Sequence, residues 1–348
     1  MRDRERSRVR TRSRYRTRLF AFLPSPAVLS TGRMSRFRQF AFWFLGFNVA
    51  MVLWGALVRV TGSGAGCGSH WPLCNGEVVP GLAAVATRIE FTHRVLSGID
   101  LVLGVLLVVW AFRALPPGHV ARKTSTAAGV FLLLEALAGA ALVLFGWVVK
   151  DASPGRGGAV VVHLVITFLL IGAAALTAAL ADRPAGLVLR GRGPLVAALS
   201  LGVGTLLVAG ATGAIAALGN TLYPAASHAA GLAQELSEQA PLLLRLRLVH
   251  PFASLAAALV LVVFARAALQ TGDDRLRAPA LRLLLVLGLQ VVAGTLSWWL
   301  HAPIFMQLVH LLLADLVWIA LLWLAADALS GTHEAAMQRS GGAVLPSP

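Results

Sequence analysis

Eight long apolar stretches constrain this chain more than any other feature. Each is about 20 residues or longer, the length that an α-helix needs to cross about 30 Å of hydrocarbon, whereas the strands of membrane barrels are shorter and alternate in polarity. A soluble chain would carry about twice the 13% of charged residues found here. We therefore expect an all-α polytopic membrane protein with eight transmembrane helices. The predicted spans are 39–60, 88–113, 122–148, 157–182, 194–218, 244–269, 279–300 and 303–329.

The net charge of +15 does not indicate a nucleic-acid partner, because of where the basic residues lie. Twelve of the 30 Lys and Arg residues fall between Arg2 and Arg38, before the first span, and most of the others lie in alternate loops. Basic residues concentrate in cytoplasmic loops of membrane proteins. This distribution therefore predicts that both termini are cytoplasmic and that the 61–87 and 219–243 loops are outside.

Both ends of the chain lie beyond the predicted spans. We interpret residues 1–37 as a basic, disordered extension without a catalytic role, and residues 331–348 as a C-terminal tail. A mitochondrial transit peptide is one alternative, but such peptides are poor in acids and this segment contains Asp3 and Glu5. A start codon assigned too early, with Met34 as the true start, is another.

The second half of the chain repeats features of the first. The segment "LEALAGAALV" at 134–143 resembles "LQVVAGTLSW" at 289–298, and the Thr-Gly pair at 61–62 recurs at 212–213. Four spans separate the matching features, so the halves would have the same orientation in the membrane. We predict two tandem four-helix bundles related by internal duplication, covering 38–185 and 190–330.

Four histidines within the spans occupy matching positions, namely His93 and His163 in the first half and His250 and His310 in the second. Each lies about two turns inside an even-numbered span, so the four imidazoles should share one depth near the outer side. One such histidine is more often a hydrogen-bonded core residue, but four favour ligation. No His-x3-His pair or carboxylate cluster completes a zinc or di-iron site, whereas two facing histidines suffice for one haem iron. We predict two haems, one in each half.

The halves differ at the residue three positions before each histidine. These residues are Glu90, Val160, Arg247 and Gln307, so only the first half has a carboxylate there. Glu90 could form a structural ion pair with Arg88 or Arg94. Alternatively, a carboxylate beside a porphyrin edge can accept protons or stabilise developing positive charge. The asymmetry suggests that the first half performs chemistry and the second transfers electrons.

The two cysteines, Cys67 and Cys74, lie in the first outer loop. Their spacing fits neither a zinc knuckle nor a Cys-x-x-Cys redox motif. On the oxidising side of the membrane a disulfide is the simplest interpretation, and it would hold the loop over the first haem. A redox role for the pair and two free thiols remain the alternatives.

Five motifs in order carry a family resemblance. They are "LVRVTGSGAGCGSHWPLCNG", "EFTHRVLSG", "VVHL", "RLVHP" and "QLVHLLLADLVWIALL". Together with the eight spans, and from about residue 38 to 329, they resemble haem A synthase of the bacterial type with an outer-loop cysteine pair. That membrane enzyme converts haem O to haem A for cytochrome oxidase.

The resemblance implies a reaction and a role for each site residue. The C8 methyl group of haem O would be oxidised twice, through a hydroxymethyl group and a hydrated aldehyde, to a formyl group. The roles transfer by position: His93 and His163 as axial ligands of the haem O substrate, His250 and His310 as axial ligands of a permanent haem b, Glu90 as the catalytic carboxylate, and Cys67 and Cys74 as a disulfide.

The resemblance also implies partners. Electrons would pass through haem b to or from a membrane carrier such as a quinone, in a bacterial plasma membrane. Haem O synthase, cytochrome oxidase assembly factors and a second copy of the chain are further candidate partners.

Two features depart from the family pattern: the 219–243 loop lacks a second cysteine pair, and Pro251 after His250 is expected to tilt span 6.

Two other functions fit parts of the pattern. A dihaem, quinone-linked cytochrome would use the same paired histidines, but it predicts haems near both membrane faces and leaves Glu90 unexplained. A transporter could also be a duplicated bundle, but transporter sites usually need broken helices at the midplane. No Pro-Gly break is present in the middle of a span.

Overall fold

The computed structural model describes residues 35–183 and 187–330, and these residues are almost entirely helical. The interpretations of the extension up to residue 34 and of the 331–348 tail concern residues outside these ranges. Among the described residues, eight helices are long and apolar enough to cross a membrane, which confirms the predicted fold class. The helices in chain order are α1 Arg36–Val60, α2 Val85–Ala114, α3 Val120–Leu144, α4 Pro154–Leu180, α5 Gly193–Leu222, α6 His228–Leu236, α7 Leu242–Leu246, α8 Val249–Gln270, α9 Asp274–Trp299 and α10 Ile304–Leu329.

Several helices begin a few residues before the apolar run that predicted them. Helix α4 starts at Pro154, and the side chain of Ser153 accepts a hydrogen bond from the backbone N–H of Arg156. Proline is favoured at the first helical position, where no intrahelical hydrogen bond is lost. Helix α9 similarly starts after Asp273, whose carboxylate accepts from the N–H of Arg275. Polar capping turns extend these helices beyond the segment that hydropathy detects.

The eight long helices form two rings of four. In the first ring α1 packs against α2, α2 against α3, α3 against α4, and α4 against α1. In the second ring the same sequence of contacts joins α5, α8, α9 and α10. The rings meet through α4 and α10, with further contacts between α1 and α10 and between α4 and α5. A duplicated four-helix unit would produce this arrangement.

The contact between α4 and α10 is made largely by tryptophans. The indole N–H of Trp318 donates to the carbonyl of Phe168 at 2.8 Å, and that of Trp323 donates to the carbonyl of Ala175 at 3.0 Å. Gly172 makes room for the first indole, because a Cβ at that position would lie 3.0 Å from its nitrogen. The buried tryptophans therefore pack tightly while their polar atoms stay hydrogen-bonded.

Span 6 is interrupted where a tilt was expected. Helix α7 ends at Leu246, and Arg247 and Leu248 form a turn before α8 begins. Pro251 lies in the first turn of α8, where its missing N–H costs no intrahelical hydrogen bond. The carbonyl of Arg247 instead accepts from the N–H of His250 at 3.4 Å. His250 is thus in the first turn of α8, although it follows the start of α7 by two turns.

Candidate functional site

Each of the four histidines packs against a glycine of a neighbouring helix. The pairs are His93 with Gly55, His163 with Gly139, His250 with Gly213, and His310 with Gly294. A Cβ on these glycines would lie 3.5, 3.6, 3.0 and 2.7 Å, respectively, from the nearest ring atom. A Cβ on Gly213 or Gly294 would press against the imidazole, whereas a Cβ on Gly55 or Gly139 would make an ordinary van der Waals contact with it. A glycine–histidine contact therefore recurs at all four rings and is closest in the second half.

These glycines were not among the predicted site residues, although the repeat contained a sign of them. Gly139 and Gly294 are the same position of the two repeated ten-residue segments. The expected match between the Thr-Gly pairs does not hold, since Gly62 lies beyond the end of α1 and Gly213 lies inside α5. The structure makes Gly55 the counterpart of Gly213. A match of only two residues is too short to establish how α1 aligns with α5.

The two histidines of the second half face one another. The ring centroids of His250 and His310 are 6.4 Å apart and their planes are nearly perpendicular, at 79°. An iron bound to one nitrogen of each ring at about 2 Å would give a centroid spacing of about 6 Å. Nδ1 of His250 lies 3.1 Å from the carbonyl of Ala209 and must donate to it, which leaves Nε2 as the nitrogen with a free lone pair. The pair therefore fits a bis-histidine haem.

The two histidines of the first half have different polar surroundings. His93 on α2 and His163 on α4 belong to the same ring of four helices. Nδ1 of His163 lies 2.8 Å from Oε1 of Glu135 on α3, and the hydroxyl of Thr167 lies 2.5 Å from the same oxygen. Nδ1 of His93 is buried and has no hydrogen-bond partner in the described part of the chain. One histidine of this pair is thus held by a carboxylate and the other is not.

Glu90 is buried, with 3% of its surface exposed, and it contacts two groups. Its Oε1 pairs with the guanidinium of Arg94 at 2.5 Å, and its Oε2 accepts from the backbone N–H of Cys67 at 2.8 Å. The structural ion pair considered above therefore exists, and its partner is Arg94. The carboxylate connects α2, one turn before His93, to the loop that carries the cysteines.

Arg94 extends this connection along the loop. Its Nη1 donates to the carbonyls of His70 and Leu73, each at 2.5 Å. Arg88, the other candidate partner of Glu90, donates instead to the carbonyl of Leu82 at 3.1 Å. The guanidinium of Arg94 thus fixes both the loop and the catalytic candidate.

The cysteine loop, residues 61–84, is closed by the predicted disulfide. Cys67 and Cys74 are bonded and buried, with their Cα atoms 4.3 Å apart, which confirms the pairing. Gly66 lies directly on the first turn of α2, since a Cβ there would be 2.4 Å from the carbonyl carbon of Ala86. The hydroxyl of Thr87 donates to the carbonyl of Gly66 at 2.7 Å. The loop is therefore packed against the helix that carries Glu90 and His93.

The corresponding position in the second half carries the opposite charge. Arg247 forms a half-buried ion pair with Glu235 of α6, and it also donates to Oδ1 of Asn220 at 3.0 Å. In the remaining two even-numbered spans, Gln307 donates to the carbonyl of Ala302 at 2.7 Å and Val160 offers no polar group. An acid one turn before a histidine is therefore a feature of the first half alone.

Two arginines in helices of the first half, Arg59 and Arg156, have no carboxylate within ion-pair distance among the described residues. Arg59, at the end of α1, donates to the carbonyl of Ala217 and the hydroxyl of Thr221 on α5, at 3.1 and 3.3 Å. Arg156, in the first turn of α4, donates to two backbone carbonyls at 2.8 and 2.7 Å. A guanidinium held only by neutral acceptors can still bind a carboxylate of a ligand.

Comparison with known families decides the relationship. A sequence model of the COX15-CtaA family, described as cytochrome oxidase assembly protein, matches residues 38–322. The match contains the four histidines, Glu90 and both cysteines. The chain belongs to the COX15-CtaA family.

Relatives of this family member carry two different names. A Thermus thermophilus protein named protoheme IX farnesyltransferase is 42% identical over 318 residues, which are 91% of this chain and 52% of that protein. A protein named heme A synthase from Alkalihalophilus pseudofirmus is 44% identical over 96 residues, 28% of this chain and 32% of its own length. One of the same name from Bacillus licheniformis is 46% identical over 99 residues, with the same coverage. The chain spans about half the length of the Thermus relatives.

Proposed function

We propose that this COX15-CtaA family member is a haem A synthase, which oxidises the C8 methyl group of haem O to a formyl group for cytochrome oxidase. One observation carries the proposal: both halves contain a pair of histidines seated on glycines, but only the first adds a buried carboxylate one turn from a histidine. Electron transfer alone would require the pairs and not the acid. The relatives named heme A synthase support the same assignment.

The two pairs of histidines would have different roles. His93 and His163 would bind the iron of haem O, the substrate, and His250 and His310 would hold a permanent haem b. When bound, haem b supplies one-electron exchange with a membrane carrier such as a quinone. The hydrogen bond from His250 to Ala209 orients its ring for this task.

Glu90 is the proposed catalytic carboxylate. Its Oε1 accepts two N–H groups of Arg94 and its Oε2 accepts one N–H, so Oε2 retains an acceptor position. Each oxidation of the methyl carbon removes electrons and protons, and a carboxylate at this position can take up a proton or stabilise positive charge at the carbon. Arg94 and the N–H of Cys67 would hold the carboxylate in place during these steps.

The remaining polar groups around the first half complete the proposal. The cysteine loop would cover the substrate, since it is packed on the helix that carries Glu90 and His93. Arg59 and Arg156 would bind the propionates of a haem, because their guanidinium groups are held by neutral acceptors. We further propose that this region lies toward the outer side of the plasma membrane with both termini in the cytoplasm, which the charge distribution between spans supports.

The substrate must be supplied by an enzyme that adds a farnesyl group to a haem. The Thermus relative is named for such a transfer to protoheme IX, and this makes a haem O synthase the partner that we propose. Cytochrome oxidase assembly factors would take up the product. Self-association of the chain remains a further proposal.

A dihaem electron-transfer cytochrome is the second candidate, and one observation favours it. Glu90 has a structural use, because it ties the cysteine loop to α2 through Arg94 and Cys67. An acid retained for that purpose would need no catalytic role. A transporter is less well supported, since the interruption of span 6 lies about two turns from its start and not at its midplane.

Expression of the chain in a host that makes haem O but no haem A distinguishes these functions. The haems are extracted from the membranes, separated and identified by mass. The proposal predicts haem A in cells that express the chain. Haem b bound to the purified protein, with no haem A, would support the cytochrome, and a protein without any haem would exclude both.

A further inference from the structure

His163 is bound by a carboxylate that the proposed mechanism does not yet use. Glu135 lies on α3, one turn before Gly139, and its Oε1 is 2.8 Å from Nδ1 of His163. The hydroxyl of Thr167, one turn after His163, lies 2.5 Å from the same oxygen. Oε2 of Glu135 is buried and has no partner among the described residues. The carboxylate is therefore directed at the histidine from inside the helix ring.

The equivalent positions beside the other three histidines carry no charge. The residues four positions before the contacting glycines are Met51, Glu135, Ala209 and Gln290. Such residues lie on the same face of a helix as the glycine. His250 donates to a backbone carbonyl, while His310 lies near the backbone of Gln290 without a hydrogen bond of ordinary geometry in the described structure. Within residues 35–183 and 187–330, His163 is the one intramembrane histidine with a carboxylate partner.

We infer that Glu135 is a positioning residue for the first-half haem, which makes His163 the stronger of its two axial ligands. The inference rests on the proposed function, because it takes His93 and His163 as ligands of that haem. A carboxylate that accepts from Nδ1 fixes the ring orientation, directs the lone pair of Nε2 to the metal and raises the basicity of the ligand. The hydrogen bond is charge-assisted and lies in a region of low dielectric constant, which strengthens it.

The charge of Glu135 also needs compensation. The side chain of Glu135 is half-buried and its Oε2 is fully buried, so a lack of opposite charge is costly. The described residues that contact the carboxylate provide a histidine and a hydroxyl. A ferric haem ligated by two neutral imidazoles carries a net positive charge and would supply the missing compensation. Glu135 therefore stabilises the ferric form of the first-half haem more than the ferrous form.

The two ligands of this haem are consequently unequal. His163 is supported by Glu135, whereas Nδ1 of His93 has no partner in the described part of the molecule. A substrate haem must enter and leave in every catalytic cycle, which a permanent haem does not. The bond to His93 is the one that breaks on exchange, while His163 keeps the porphyrin in register.

The second half provides a reciprocal variant. Glu135→Gln installs the amide that the second half has at Gln290, and Gln290→Glu installs the carboxylate that the first half has. The full-length protein is purified in detergent, saturated with haemin, and titrated with reductant while the absorbance of both haems is followed. If the preference of the site for ferric over ferrous haem falls tenfold, the midpoint potential rises by about 59 mV for a one-electron couple.

We expect Glu135→Gln to raise the midpoint potential of one haem by about 59 mV, which is this tenfold change, and to leave the potential of the other haem unchanged. Gln290→Glu should lower the potential of the other haem. Glu135→Asp, which keeps the charge, should retain most of the wild-type potential. Unchanged potentials in both exchanged variants, or a shift of the same haem in both, would overturn the inference. If Glu135→Gln does not fold, the shift expected from Gln290→Glu still decides it.

The same strains separate this inference from the proposed function. Haem A production is measured in cells, independently of the redox titration of the purified protein. If the wild-type chain forms haem A but the variants show no shift in midpoint potential, the role of Glu135 is refuted and the proposed function is not. Shifted potentials without any haem A would refute the synthase and leave the role of Glu135 at a bis-histidine haem intact.

Discussion

At the scale of single residues, the two halves differ in the groups that surround their intramembrane histidines. A glycine of a neighbouring helix contacts each of the four intramembrane histidines, and the contact is closer in the second half than in the first. The polar groups at corresponding positions differ, since the first half has Glu90 and Glu135 where the second half has Arg247 and Gln290. The glycine contact is thus repeated in both halves, while the charged side chains are not. The difference in charge is what would distinguish the haem that reacts from the permanent haem.

Glu90→Gln tests the catalytic role at this scale. We expect the purified variant to keep both haems and to produce haem A at a rate reduced about 10²- to 10⁴-fold, the usual contribution of a positioned acid or base. Haem A is quantified by chromatography of extracted haem in the host described above.

Glu235→Gln is the matched control for this experiment. It removes the carboxylate of the half-buried ion pair with Arg247, and should lower stability without abolishing haem A. A Glu90→Gln variant that forms haem A at the wild-type rate would restrict Glu90 to holding the cysteine loop.

At the scale of helices, close packing decides whether a ring can occupy its place. A Cβ on Gly294 would lie 2.7 Å from Cε1 of His310, a distance that requires the ring to move. We therefore expect Gly294→Ala to reduce the haem content from two per chain to one, measured by the pyridine haemochrome assay. Gly288→Ala, on the same helix with nothing within 4 Å of its Cβ, should keep both haems. Equal haem content in the two variants would show that the ring can adapt.

The cysteine loop is the element that the disulfide stabilises. The bond joins residues seven apart, and constraining so short a loop contributes about 2–3 kcal/mol by the loop-entropy relation. We expect Cys67→Ser with Cys74→Ser to increase amide hydrogen exchange in the loop, to reduce haem A formation and to leave both haems bound. Wild-type exchange in the double variant would mean that Arg94 and Gly66 hold the loop without the disulfide.

Much of the architecture follows from sequence, and the reason is physical. The length of an apolar run is dictated by the thickness of the membrane, so eight spans can be recognised without any knowledge of their packing. The four histidines stand out because ionisable groups are rare in such segments. The cysteines stand out because the chain has two of them and both lie in one loop. The starts of α4 and α9 were misplaced because their first turns are polar, and hydropathy does not register capping side chains.

The contacts between helices could not be predicted in the same way. Glu135 meets His163 only because α3 and α4 pack at one particular register, and no local pattern in either helix specifies that register. The glycines opposite the histidines are small residues among many in these helices, and only the structure distinguishes Gly55 from Gly46, which has nothing within 4 Å. The break in span 6 was anticipated as a tilt, since the sequence locates Pro251 but not the start of the helix around it.

At the scale of the whole molecule, the orientation of the chain across the membrane is a prediction from charge. The distribution of basic residues between the spans predicts that the cysteine loop is outside, on the oxidising side. We expect a membrane-impermeant thiol reagent, added to intact cells after mild reduction, to label Cys67 and Cys74. A chain in which both cysteines are replaced by serine is the control for background labelling. Labelling only after the cells are lysed would reverse the predicted orientation.

The most direct test of the central claim is the haem inventory of the purified chain. The protein is isolated from a host that makes haem O but no haem A, and its haems are extracted, identified by mass and counted per chain. The account predicts two haems, of which one is haem b and the other is haem O together with the haem A formed from it. Two molecules of haem b per chain, in a host that supplies haem O, would contradict it.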